Sequence, residues 1–280
     1  MRRTILLAGS AAVAATAALA EPDLTAVLEI EGEKMRTIVE TPADGNPLRK
    51  LISGWHYRNP ETRDLQTDDF ENPGFIMVDT GLEMWETPAG TSNQSCADCH
   101  GGPESFKGLR AAMPKWHEPG QRPLTLEQWI NWSRVEHQGA DPWEWESPEM
   151  LGMTALITLQ SRGMPVDVQT DGPMAEWWKK GEELYYTRTG QLNFACASCH
   201  EENNGRMLRA DHLSQGHING FPVYRLKWQG MGSIHRRFRG CVKDTRAETY
   251  PVGSDEFIAL ELYVAWRGEG LSVEGPSVRN

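Results

Sequence analysis

The sequence predicts a mainly α-helical chain built from two tandem copies of one domain. Three observations carry that expectation. The chain repeats itself at a spacing of 100 residues. Its clearest apolar periodicities are helical. A five-residue cysteine motif, C-x-x-C-H, occurs once in each copy.

The repeat is read directly from the residues. Gly81-Leu-Glu-Met-Trp85 answers Gly181-Glu-Glu-Leu-Tyr185, Gly90 answers Gly190, and Asn93 answers Asn193. Cys96-Ala-Asp-Cys99-His100 answers Cys196-Ala-Ser-Cys199-His200, and Leu109-Arg-Ala111 answers Leu208-Arg-Ala210. Further on, Ala155 to Gly163 resembles Leu260 to Gly268 at an offset of 105. The first copy is expected over residues 50–165 and the second over 172–280, with a boundary in the polar, proline-containing stretch Met164 to Asp171. Residues 21–49 form an N-terminal extension expected to wrap over the first copy.

Helices are expected over 174–186, over 124–137 with Thr125 as a possible N-cap, and over 257–266, where Gly268 stops the pattern. Strand signals are sparse, and Phe75 to Val78 is the best short candidate.

Residues 1–20 are expected to be removed. Arg2 and Arg3 precede a short, alanine-rich apolar run that ends in Ala18-Leu-Ala20, the pattern of a secretory signal peptide cleaved after Ala20. The run is too short for a typical span, and no later segment suits a bilayer. The expected location is the periplasm. The chain has 28 Lys and Arg against 39 Asp and Glu, a net charge of −11. Such a chain is a poor ligand for nucleic acid or anionic membranes. With 39% hydrophobic residues it has material for a core.

C-x-x-C-H carries specific chemistry. Two thiols one helical turn apart add across the two vinyl groups of haem, and the adjacent histidine binds the iron. The motif predicts two covalently bound haem c groups, held by Cys96, Cys99 and His100 and by Cys196, Cys199 and His200. A redox dithiol would not need the trailing histidine. A structural zinc site would draw both C-x-x-C elements into one fold, and disulfides are the third rival. Small domains around a haem are usually helical, because helices shield the porphyrin. Tyr263 and Trp266 are candidates to pack on the second haem or to serve as ordinary core.

The fifth cysteine, Cys241, lies among Arg236, Arg237, Arg239, Lys243 and Arg246. A cationic field of this kind favours a thiolate and attracts a small dianion. Pairing with haem propionates is the plainer reading of the arginines. Cys241 itself reads as a distal haem ligand or nucleophile, or else as a buried residue or an intermolecular disulfide partner.

The chain also resembles the SoxA family, the dihaem cytochrome subunits of SoxAX complexes of thiosulfate oxidation. The resemblance covers nearly all of the chain after the leader. It includes Ser53-Gly-Trp-His-Tyr-Arg58, Arg63-Asp-Leu65, Asp68-Asp-Phe70, Leu159-Gln-Ser-Arg-Gly-Met164 and Tyr185-Tyr-Thr-Arg188. It continues through Arg209-Ala-Asp-His-Leu-Ser-Gln215, Ile218-Asn-Gly-Phe-Pro222, Gly240-Cys-Val242 with Asp244-Thr-Arg-Ala-Glu248, and Gly270-Leu-Ser-Val-Glu-Gly275. It implies two cytochrome c-like domains, each around one haem. It implies that Cys241 is the distal ligand of the second haem and carries a persulfide or thiosulfonate in turnover, with Arg237 contacting substrate. The implied activity is that of an L-cysteine S-thiosulfotransferase. With SoxX, it would conjugate thiosulfate to a cysteine of the carrier SoxYZ and pass two electrons to a soluble c-type cytochrome. A dihaem thiosulfate dehydrogenase, a simple electron-transfer cytochrome and a dihaem peroxidase are the alternatives.

One departure stands out. Where relatives carry a cysteine as distal ligand of the first haem, this chain has Ser133. Serine is a poor haem ligand. His137, four residues on, shares a helix face with it and is the favoured distal ligand. Met113, His117 and Met153 are the other candidates, and a surface role for His137 is the plain alternative.

Overall fold

The computed structural model describes residues 22–209 and 211–280. The expected signal peptide lies outside these residues. Among the described residues nine α-helices are formed: α1 (Pro60–Asp64), α2 (Phe75–Glu86), α3 (Cys96–His100), α4 (Leu126–Ser133), α5 (Pro148–Leu159), α6 (Ala175–Tyr186), α7 (Cys196–His200), α8 (Ile234–Asp244) and α9 (Asp255–Arg267). No helix among the described residues is long and apolar enough to cross a membrane. Short strands of two or three residues fill the connections. The largest sheet has Val223–Arg225 at its centre, antiparallel to Gly230–Gly232 and parallel to Ser277–Arg279.

Two helix pairs organise the molecule. α2 crosses α5 at Gly81, where a Cβ would lie 2.3 Å from the Gly152 carbonyl oxygen. α6 crosses α9 at Gly181, where a Cβ would lie 2.0 Å from the Ala259 carbonyl oxygen. Glycine is required at both crossings because the backbones touch. Each pair seeds a separate apolar core. One contains Trp85, Met113, Met150 and Met153, and the other contains Tyr185, Phe257, Tyr263 and Trp266.

The expected strand at Phe75 to Val78 is the first turn of α2. The reason is the spacing of Val78, Gly81 and Trp85, which are buried in register with a helix and not with a strand. The helix expected over 124–137 starts later, because Arg122–Leu124 pairs as a strand with Lys115–His117. Thr125 is its N-cap, accepting from the Gln128 amide. The offset of the C-terminal helices also differs from the sequence reading. Gly152 and Ala259 occupy the same crossing, and Ser147 and Ser254 the same cap, at an offset of 107 and not 105. Sequence similarity slid the pair by two residues, whereas backbone contact fixes it.

The boundary stretch is not a loose linker. Val166 exchanges backbone hydrogen bonds with the turn at 270–271, its amide donating to the Leu271 carbonyl and its carbonyl accepting from Gly270, and the Asp167 amide donates to the Ala111 carbonyl. The N-terminal extension engages the C-terminal half. Arg36 and Ser272 bond to each other, and the Asn46 side chain donates to the Arg267 carbonyl at 3.0 Å.

Candidate haem-binding and sulfur-reactive sites

Each C-x-x-C-H segment forms one short helix. α3 is opened by a capping box in which Ser95 and Asp98 satisfy each other's amides. In α7 the Ala195 amide donates to Ser198 Oγ at 3.1 Å, so half of that device is retained. None of the five cysteines is in a disulfide. Among the described residues no group of three or more acidic, histidine or cysteine side chains is placed to hold a metal ion. Burial raises the Cys96 thiol pKa and pushes Cys196 up to about 12. A redox dithiol needs the opposite shift, so that rival loses support.

The first cavity, of about 370 Å³, is lined by Cys96, Cys99 and His100 on one side and by Ser133, Arg134 and His137 on the other. Its remaining wall is largely apolar, with Trp85, Phe106, Leu126 and Trp143. Met113 and Met153 also reach it, and His117 does not. His117 Nδ1 accepts a hydrogen bond from the Gly120 amide at 3.0 Å. Its Nε2 therefore carries the proton in the neutral ring and has no lone pair for a metal. His137 faces Trp132 edge-on, with ring centroids 4.9 Å apart.

The two halves differ by one residue at this point. Thr125 and Ser233 are equivalent N-caps at an offset of 108. Gln138 and Thr245 are equivalent acceptors at 107, taking hydrogen bonds from the Ser92 and Leu192 amides. The extra residue is absorbed by a π-helical turn, Arg134–Gln138, that continues α4. Ser133 thus stands where Cys241 stands in the second half, eight residues after the cap. The wide turn follows immediately and carries His137 to the cavity wall.

The second cavity, of about 480 Å³, brings together His200, Arg237 and Cys241. Cys196 and Cys199 sit earlier on α7, and desolvation followed by the Cys241 sulfur raises both thiol pKa values. His200 Nδ1 lies 2.7 Å from the Ser214 carbonyl, which can only accept. The ring must therefore donate from Nδ1 and leave the Nε2 lone pair free, as a metal ligand requires. Desolvation pushes its pKa down to about 4, so the ring is neutral near pH 7. Gly216 packs against this ring, where a Cβ would lie 2.8 Å from His200 Cγ. The wall thus fits a flat macrocycle held at His200.

On α8, Arg237 and Cys241 are one turn apart and share the cavity face. The Arg237 guanidinium makes no hydrogen bond or ion pair with any described residue. The Cys241 sulfur raises its pKa despite the opposing desolvation. Of the five cations expected around Cys241, only Arg237 lines the cavity. Arg236 turns away to lie 4.3 Å from the Trp228 ring centroid. Helical rotation separates the neighbours in sequence, and the positive wall is built from distant residues: Arg58, Arg209, Arg225, Lys227 and Arg279. Sequence proximity missed these. Their only early signal was that Arg58 and Arg209 fell within stretches resembling the SoxA family. Tyr263 and Trp266 belong to the core and do not line the cavity.

Several of those stretches converge on buried Glu274. It accepts from Gln66 and Asn219 at 3.2 Å and from Arg279 at 2.8 Å, and pairs with the Ser53 hydroxyl. Of these residues, Arg279 also lines the second cavity.

A helix-rich chain with two C-x-x-C-H helices, each beside its own cavity, is the design of a c-type cytochrome. The SoxA/TsdA cytochrome c domain model matches residues 80–166. The chain is 56% identical over 230 residues to the L-cysteine S-thiosulfotransferase subunit SoxA of Paracoccus pantotrophus, covering 82% of this chain and 79% of that protein. It is 51% identical to the corresponding subunit of Rhodovulum sulfidophilum, covering 90% and 89%. A chain in the crystal structure of SoxXA from P. pantotrophus superposes with a TM-score of 0.87 at 52% identity, covering 91% of this chain and 97% of that one. The chain belongs to the SoxA family.

Proposed function

We propose that the chain is the sulfur-transferring subunit of a periplasmic L-cysteine S-thiosulfotransferase, working with a SoxX-type cytochrome on a SoxYZ-type carrier. The single observation that carries this reading is the pairing of Cys241 with the uncommitted Arg237 on one face of α8, in a cavity that also presents His200. The named relatives support the substrate, thiosulfate, and the partner.

The overall reaction joins a carrier thiol to thiosulfate: Cys–SH and S₂O₃²⁻ give Cys–S–S–SO₃⁻, one proton and two electrons. Arg237 holds the sulfonate end by charge-assisted hydrogen bonds and directs the outer sulfur toward Cys241. The Cys241 thiolate forms a sulfur–sulfur bond to that atom, releasing the electron pair. The carrier thiolate then attacks the sulfur bonded to the sulfonate, and the Cys241 thiolate leaves. Cys196, Cys199, His200 and Cys241 would hold a haem there, and that group would supply one-electron acceptance toward a soluble c-type cytochrome.

The reading includes two tandem domains of cytochrome c type, the second haem at the reactive site and the first in the apolar cavity. Cys96, Cys99 and His100 would hold the first, with His137 as its distal ligand. The π turn supports His137, since it follows directly on the serine that replaces a sulfur ligand. The buried Met113 and Met153 are its rivals.

The test is thiosulfate-dependent reduction of a c-type cytochrome by the complex with SoxX and carrier. Cys241→Ala is expected to abolish it, with both haems still attached. A Cys241→Ala protein that retains turnover would make the chain an electron carrier only. Wild-type activity without carrier, with tetrathionate as product, would make it a thiosulfate dehydrogenase.

A further inference from the structure

The second cavity holds a guanidinium that the mechanism above does not use. Arg225 is buried and sits on the central strand of the three-stranded sheet, across the cavity from α8. Its Nε donates to the Asn280 carbonyl at 2.8 Å, and its Nη2 reaches Asp211 at 3.5 Å. The group lies 4.9 Å from the Trp228 ring centroid. Nη1 has no hydrogen-bond partner among the described residues. Three attachments therefore fix the plane and leave one edge open.

The charge around it is not balanced. Asp211 serves two guanidiniums, since Arg58 also pairs with it. Arg279 has its own partner in Glu274 at 2.8 Å. Arg237 has none. Burial, and next the field of Arg237, pull the Arg225 pKa down to about 10, as expected for a cation short of counter-charge. A rigid, half-neutralised arginine facing an uncommitted one is suited to an anion with oxygens on two sides.

We propose that Arg225 is a second binding residue for the anionic substrate, gripping the sulfonate from the sheet wall while Arg237 grips it from the helix wall. The ligand class is a small sulfur oxyanion dianion. This rests on the thiosulfate reading above.

The experiment uses the haem-loaded complex with its SoxX-type subunit and compares wild type with Arg225→Gln, Arg225→Lys and Cys241→Ala. Four measurements are made: steady-state kinetics (KM and kcat) for thiosulfate with carrier, equilibrium binding of labelled thiosulfate without carrier, the haem midpoint potentials, and thermal stability. Arg225→Gln is expected to raise both KM and Kd about tenfold with kcat little changed, as for lost uniform binding. Arg225→Lys is expected to recover part of that affinity. Unchanged KM and Kd in Arg225→Gln would overturn the proposal. If a haem potential shifts in that same variant, the arginine serves the cofactor's carboxylates instead. Equal loss of binding and thermal stability in both Arg225 variants would also overturn it, in favour of a purely structural role. Wild-type turnover in Cys241→Ala would sink the sulfur-transfer reading itself, whatever Arg225 does.

Discussion

Cys241 and His200 illustrate how one side chain's surroundings decide its chemistry. The Ser214 carbonyl forces a single tautomer on His200 and so aims a lone pair into the cavity. His117, with the reverse hydrogen bond from Gly120, is chemically blocked from the same role. In the first cavity that leaves His137, Met113 and Met153. His137→Ala is expected to convert the first haem to a high-spin species in low-temperature EPR, with the second haem's signal unchanged. A sulfur-to-iron charge-transfer band in the wild-type protein would point to one of the methionines instead. At this scale the cysteine motifs were legible in the sequence, because their fixed spacing on a short helix fixes geometry, whereas the role of Arg237 beside Cys241 came only from the resemblance to the SoxA family. Arg58, Arg225 and Asp211 were not legible as a group, because only the folded sheet and extension bring positions so far apart to one wall.

Among the elements, the π turn and the glycine crossings matter most. α8 runs regularly from Ser233 past Cys241, whereas α4 widens at Arg134–Gln138 to hold one additional residue. Combining Ser133→Cys with deletion of the exposed Val135 is expected to restore the regular helix and place a sulfur opposite His100. A second thiolate-type EPR signal would confirm it, and a spectrum like wild type would show that the turn does not set the ligand. At the crossings, Gly181→Ala gains roughly 1 kcal/mol of helix propensity. Its Cβ, however, would stand 2.0 Å from a backbone oxygen that cannot retreat alone. The clash should win, destabilising the protein by about 1–3 kcal/mol net in denaturant titration. The repeat revealed α2 and α6 in register because both carry this glycine. It misplaced α5 and α9 by two residues because their facing positions, Gly152 and Ala259, share only small size. The strand expected at Phe75 failed for a related reason: a short apolar run has no period until its continuation through Trp85 is included.

For the whole molecule, the two halves are joined through a buried ionisable cluster. Arg110 and Glu127 come from the first half, and His235 and Glu261 from the second, all at most 8% exposed. Glu261 lies 3.1 Å from His235 and 3.9 Å from Arg110. Desolvation first, and the charge of Glu261 second, raise the Glu127 pKa. A carboxyl whose folded pKa is raised contributes stability below its unfolded value near 4.5, and that contribution fades as pH rises through the folded value. Glu127→Gln keeps the neutral form at every pH. Its stability advantage over wild type is therefore expected to grow from pH 5 to pH 8 in chemical unfolding. Parallel curves for the two proteins would contradict that origin. Helical class was legible at this scale from periodicity and the haem motifs. The extension's docking on the C-terminal half was not, since Arg36, which bonds Ser272, and Asn46, which bonds Arg267, lie in a segment with no pattern of its own.

The central claim, a reactive sulfur at Cys241 beside a haem, is tested most directly by intact mass analysis with peptide mapping. The haem-loaded protein would be measured as isolated, after thiosulfate with SoxX and carrier, and after reductant. The account predicts a mass for two haems and a reductant-labile sulfur adduct that maps to Cys241. Two haems with Cys241 unmodified under every condition would contradict it, leaving a cytochrome that carries electrons but no sulfur.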